Sequence, residues 1–167
     1  MKKVLFSLAI IAASFAANAQ SEGSSSKFKF SVGAEVGLPV GDLGDFSSLA
    51  VGGSVQGDYW VDPSFALTVQ AGYQRFLAKD NNGLELGVIP ILAGGKYNFS
   101  EKVYGSAQLG VGIFTSGGSN SSAFAYAPGV GFKFTDNLDA LLKYQAYSKN
   151  SVTNSTIGLR IAYTFGN

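Results

Sequence analysis

The sequence predicts an all-β chain, an eight-stranded antiparallel up-and-down transmembrane β-barrel preceded by a cleavable signal peptide. Three observations predict it: an export signal at the start, eight segments in which apolar and small or polar side chains alternate, and connections that are alternately short and long. Successive side chains of a strand point to opposite faces. The alternation therefore describes a sheet with one apolar face, and an exported sheet lying in lipid must close on itself to satisfy its backbone.

The export signal is Met1-Lys2-Lys3, a positive start, then an apolar stretch over residues 4–15 and the small-x-small site Ala17-Asn18-Ala19 before Gln20. That apolar run falls short of the roughly 20 residues a membrane helix needs. Residues 1–19 are thus expected to be removed, residues 20–26 (QSEGSSS) to form a flexible leader, and residues 27–167 to form the barrel. Losing Lys2 and Lys3 leaves ten basic against eleven acidic residues, a net charge of −1. Nothing in that balance suggests a nucleic-acid partner.

In the first segment, residues 28–38, Phe28, Phe30, Val32, Ala34, Val36 and Leu38 share one face, with Lys29, Ser31, Gly33, Glu35 and Gly37 opposite. Strict alternation over that length does not fit a helix. The second and third segments run over 49–61 and 65–76, and the fourth over 85–99. In the fourth, Pro90 and Leu92 interrupt the polar face, and Pro90 suggests a bulge or a strand end. Residues 103–114 set Val103, Ala107, Leu109, Val111 and Ile113 against Ser106, Gln108, Gly110 and Gly112. Residues 123–134 continue with Phe124, Tyr126, Val130, Phe132 and Phe134, and residues 138–147 form the seventh segment. The eighth, residues 156–165, alternates without a break: Ile157, Leu159, Ile161, Tyr163 and Phe165 face one way, Gly158, Arg160, Ala162 and Thr164 the other.

Asp62-Pro63-Ser64, Ser100-Glu101-Lys102 and Thr135-Asp136-Asn137 read as tight turns. Residues 41–48, 77–84, 116–122 and 148–153 read as longer loops, none of them long enough to argue for adhesion through loops alone. This alternation puts all short turns at one end and all loops at the other. Both chain ends then lie with the short turns, on the periplasmic side. Tyr59, Tyr97, Phe99, Phe132, Phe134, Tyr163 and Phe165 gather near those turns, as an interfacial girdle would. The alternative, a secreted soluble barrel holding an apolar ligand, would need its polar face in water. That face consists mainly of Gly, Ala, Ser, Thr and Gln with isolated charges, which suits a narrow packed lumen better.

With its closing strand (Thr156, Gly158, Ile161, Tyr163, Phe165), the chain resembles the small Gram-negative outer-membrane β-barrel proteins, the OmpX-like and OmpA-transmembrane-like barrels often grouped as porin-family. The resemblance covers residues 28–165. It implies residence in outer-membrane lipid and recognition of the last strand by the barrel-assembly machinery. Gly166 and Asn167 follow the final aromatic, where the family often ends on it.

The ionisable residues of the polar face are Lys29, Glu35, Asp58, Lys96, Lys133, Asp139, Lys143 and Arg160. Reflection about the turns sets Lys133 opposite Asp139 and Lys29 near Asp58, and closure brings Glu35 toward Arg160, with Lys143 beside it. A charge in a dry lumen needs a partner. The expected role is to fill and satisfy the interior, because eight strands leave a bore just wide enough for side chains. A narrow channel is the alternative, suggested by many Gly and by five basic against three acidic residues.

The chain has no His, which removes the usual base of a Ser-His-acid arrangement, and no Cys. Asp42, Asp45, Asp80 and Glu85 form no evident acid pair, so no enzyme, cofactor or metal is expected. Asp80-Asn81-Asn82-Gly83-Leu84-Glu85 lacks the full ligand spacing of a calcium loop and reads as a turn. A monomeric, non-enzymatic outer-membrane barrel with a structural or surface-interaction role is the expected function.

Overall fold

The computed structural model describes residues 27–41, 44, 47–78, 86–116 and 119–165. The expected signal peptide and leader lie outside the described residues, as do Asp42, Asp45 and the segment 79–85. Eight strands form in chain order: β1 (Phe28–Val40), β2 (Ser47–Asp62), β3 (Phe65–Ala78), β4 (Leu86–Asn98), β5 (Val103–Ser116), β6 (Ser119–Lys133), β7 (Leu138–Lys149) and β8 (Val152–Phe165). Each pairs antiparallel with its sequence neighbours, and β8 returns to β1 to close the barrel. The closing seam runs unbroken from Phe30 opposite Phe165 to Val40 opposite Ser155.

Side-chain parity decides which face meets lipid. In β1, Val32, Val36 and Leu38 are exposed on the outer wall, while Ser31 and Glu35 are buried inside. In β8, Ile157, Ile161, Tyr163 and Phe165 point out, and Thr156, Arg160 and Ala162 point in. An apolar wall this continuous would be an aggregation surface in water and is the normal exterior of a barrel in lipid. The aromatics near the turns pack edge to face along each strand: Tyr97 with Phe99 at 5.6 Å, Phe132 with Phe134 at 5.5 Å, and Tyr163 with Phe165 at 5.0 Å between centroids. All six sit exposed on the outer wall, where a girdle belongs.

Two expected loops are shorter than the sequence suggested. The residues assigned to loops at 116–122 and 148–153 mostly extend strands: Ser116 pairs with Ser119, and Lys149 pairs with Val152. The latter pair is joined by Asn150 and Ser151, both at positive φ (49° and 66°), as a two-residue hairpin turn requires. Strand ends that project beyond hydrocarbon need no apolar alternation, so Ser- and Asn-rich strand looks like loop in the sequence.

Pro90 is a second correction. It neither ends β4 nor makes a bulge: it lies inside the strand opposite Gly112 of β5. On the β3 side the pairing lapses between Ala71–Ile91 and Gln74–Val88 and resumes in the same register. Pro128 sits in a like gap between β6 and β7, where pairing stops at Tyr126–Ala146 and resumes at Gly129–Lys143. A residue without an N–H can occupy a sheet only where a ladder bond is missing.

Candidate functional site: the lumen

The inward side chains stack in three storeys. Midway, Glu35 of β1 is the hub: its Oε1 accepts from Gln70 Nε2 at 2.9 Å, and its Oε2 accepts from Gln74 Nε2 at 2.7 Å and from Lys143 Nζ at 3.0 Å. Arg160 lies opposite Glu35 in the closing seam, with Nε 3.8 Å from Oε1. Its closer partners are hydroxyls: Nε donates to Ser54 Oγ at 2.8 Å and Nη2 to Ser31 Oγ at 3.1 Å. Gln145 and Tyr147 extend the network, Tyr147 OH donating to Gln74 Oε1 at 3.0 Å. Glu35, Lys143 and Arg160 thus come together, with Lys143 making the shorter contact to the carboxylate.

Nearer the turns, Lys96 Nζ donates to Asp58 Oδ2 at 3.0 Å, and Gln56 Nε2 donates to Oδ1 at 2.7 Å. Lys96 also lies 4.4 Å from the centroid of the Tyr104 ring, whose hydroxyl donates to Asp139 Oδ2. Two expected partnerships differ here. Lys29 is opposite Asp58 and Lys133 opposite Asp139 in register, yet Asp58 is held by Lys96 and Asp139 by Tyr104. Lys133 instead donates to Asn98 Oδ1 at 3.0 Å. Strands in a barrel are tilted, so ladder partners sit at different heights and a long side chain from the next strand but one can reach first.

At the loop end the lumen is apolar. Phe76, Val88, Leu92, Tyr147 and four alanines (Ala50, Ala123, Ala125, Ala127) form one buried cluster, with Leu86 and Phe114 packed on it. Phe114 meets the Tyr147 ring edge-on at 5.2 Å. The sequence carried a signal for this storey that a polar-lumen reading passed over: Val88, Pro90 and Leu92 share the inward parity.

Charge is balanced inside. Glu35, Asp58 and Asp139 are buried with Lys96, Lys143 and Arg160, three against three, and the surplus pair, Lys29 and Lys133, is only half-buried near the turns. Inward glycines do not leave a bore. An added Cβ on Gly33 would stand 2.7 Å from Arg160 Nε, the Tyr104 ring covers Gly131, and the Tyr147 ring covers Gly112. Between the middle and the loop end the lumen leaves a cavity of about 10 Å³ beside Glu35, Gln74 and Lys143, hardly room for one water. Among the described residues no group of acidic side chains is placed to hold a metal ion.

A closed eight-stranded barrel with an apolar wall, an aromatic girdle and a polar, charge-balanced interior defines a transmembrane barrel protein of the Gram-negative outer membrane. The chain belongs to the outer membrane protein beta-barrel domain family, whose model matches residues 6–165. Similar solved structures include Ail, the attachment invasion locus protein of Yersinia pestis, at 19% identity and a TM-score of 0.59, covering 83% of this chain and 97% of that one. The N-terminal β-barrel domain of Pseudomonas aeruginosa OprF is 14% identical with a TM-score of 0.57, over 86% of this chain and all of that domain. Neisserial surface protein A is 19% identical with a TM-score of 0.56, with coverages of 86% and 100%. At such identities the likeness is one of fold. Among curated protein sequences none matches this one significantly.

Proposed function

We propose that this protein is a non-enzymatic, monomeric outer-membrane barrel whose lumen is filled by its own side chains, and that it serves the envelope as a structural or surface-interaction element. The observation that carries the reading is the pairing of a neutral, fully engaged ionic storey with an apolar storey above it. An ion crossing the lumen would have to displace the Glu35–Lys143 pair and then enter the Phe76–Leu92 cluster without water. The absence of His from the sequence supports the non-enzymatic part. Surface interaction is favoured by similarity of fold to Ail, whose name marks it as an attachment protein.

Reconstitution of heat-modifiable, folded protein into planar bilayers tests the reading. No steady conducting steps are expected at any salt concentration; regular steps would replace it with a narrow ion or solute channel. The reading also places both chain ends in the periplasm and gives the β8 strand to the barrel-assembly machinery. Since the chain has no cysteine, single cysteines report orientation cleanly. A membrane-impermeant maleimide is expected to label Asn150→Cys on intact cells and to leave Ser64→Cys unlabelled until the outer membrane is opened.

A further inference from the structure

Two of the eight inward ionisable residues stand outside the balanced interior, and they stand together. Lys29 and Lys133, with Lys27 just before β1, border a cleft of about 440 Å³ at the turn end whose wall is Trp60, flanked by Asp62, Pro63 and Asn98. Three lysines border the cleft against one carboxylate, Asp62. The Lys29 ammonium makes no hydrogen bond or ion pair among the described residues, and Trp60 Nε1 is buried with no acceptor. Of the acceptors present, Asn98 Oδ1 takes Lys133 Nζ and Asp62 Oδ1 takes the Ser64 N–H at 2.9 Å, so the Asp62 carboxylate stands against three ammonium groups.

The other acids of this end lie outside the cleft lining. Asp58 and Asp139 lie deeper and are held by Lys96 and Tyr104, while Glu101 and Asp136 are exposed and border the adjoining part of the mouth. Lys133 Nζ lies 5.7 Å from the centroid of the Trp60 ring, so the cation and the indole face the same space.

We propose that this cleft is a binding site for a phosphate-type oxyanion, with Lys29, Lys133 and Lys27 around its oxygens and the Trp60 indole N–H donating to one of them. An acceptor-only, multiply charged group answers a set of donors, and lysine binds phosphate as a point charge from several directions. The cleft lies at the level of the turn-end girdle, where lipid phosphates sit. Its ligand is therefore either a phospholipid headgroup or a soluble phosphate, two sources of one chemistry.

Trp60 is the only tryptophan of the chain, so its fluorescence reads the site directly. The full folded chain in zwitterionic detergent is titrated with pyrophosphate against sodium chloride of equal ionic strength, and is also placed in phosphatidylcholine nanodiscs with and without phosphatidylglycerol. A saturable change specific to pyrophosphate assigns a soluble ligand; a change seen only with phosphatidylglycerol assigns the headgroup. Either response is expected to weaken by about tenfold or more in Lys29→Gln/Lys133→Gln, since a charged hydrogen bond is lost at each position. The proposal falls if chloride reproduces the change, if neither probe gives one, or if the folded double variant titrates like the parent. Gel mobility before and after heating checks that the variant is folded, and the two single substitutions stand in for it if it is not.

Discussion

Arg160 can lie over β1 because Gly33 has no side chain, and Ser31, Ser54 and Glu35 surround its guanidinium there. The same logic governs Tyr104 over Gly131 and Tyr147 over Gly112, each with a hydroxyl that is hydrogen-bonded. Glu35 is the residue on which this arrangement depends most. Glu35→Ala leaves Lys143 and Arg160 buried without their carboxylate, and a broken buried pair typically costs about 3–5 kcal/mol. Urea unfolding in detergent micelles is expected to show a loss of that size. Lys143→Met is expected to cost distinctly less, because one carboxylate and one cation then remain facing each other.

At the scale of the element, parity sorts the consequences of substitution. Leu159 lies at the middle of β8 with its side chain on the lipid face, between Val36 of β1 and Leu142 of β7 in the ladders. Leu159→Arg is expected to destabilise the barrel by about 2–4 kcal/mol, and Tyr163→Arg in the girdle by no more than about 1, because the cost of a cation falls from midplane to interface. Unfolding titrations in bilayers check the pair. This face was legible in the sequence because period two is a local property: the residues of 156–165 alone state which of them meet lipid. What was not legible has equally physical causes. Strand ends beyond the hydrocarbon carry no alternation, so residues 119–122 and 152–153 read as loop. Turn reflection finds ladder neighbours such as Lys29 and Asp58, but the reach of Lys96 over β3 to Asp58 depends on strand tilt. The pairing of Glu35 with Arg160 came from the one long-range contact that closure itself dictates.

For the whole molecule, closure brings the ends together: Phe30 pairs with Phe165 in the β1–β8 seam, and their rings stack at 6.3 Å. The turn end could therefore be joined by a short linker. A circular permutant joined there and opened between β5 and β6 is expected to fold to the same heat-modifiable barrel, because no ladder is cut. A gel shift on heating and an unchanged far-ultraviolet spectrum would establish it; failure to fold would show that the order of strand synthesis matters to assembly.

The two prolines also say how the barrel yields to force. A wall of hydrogen-bonded seams gives way first where the fewest bonds share the load. The β6–β7 seam, interrupted at Pro128, keeps eight residue pairs, whereas the seam that joins the two ends of the chain keeps eleven. Pulled or strained, the cylinder is expected to split along this internal hairpin before it opens along its own join.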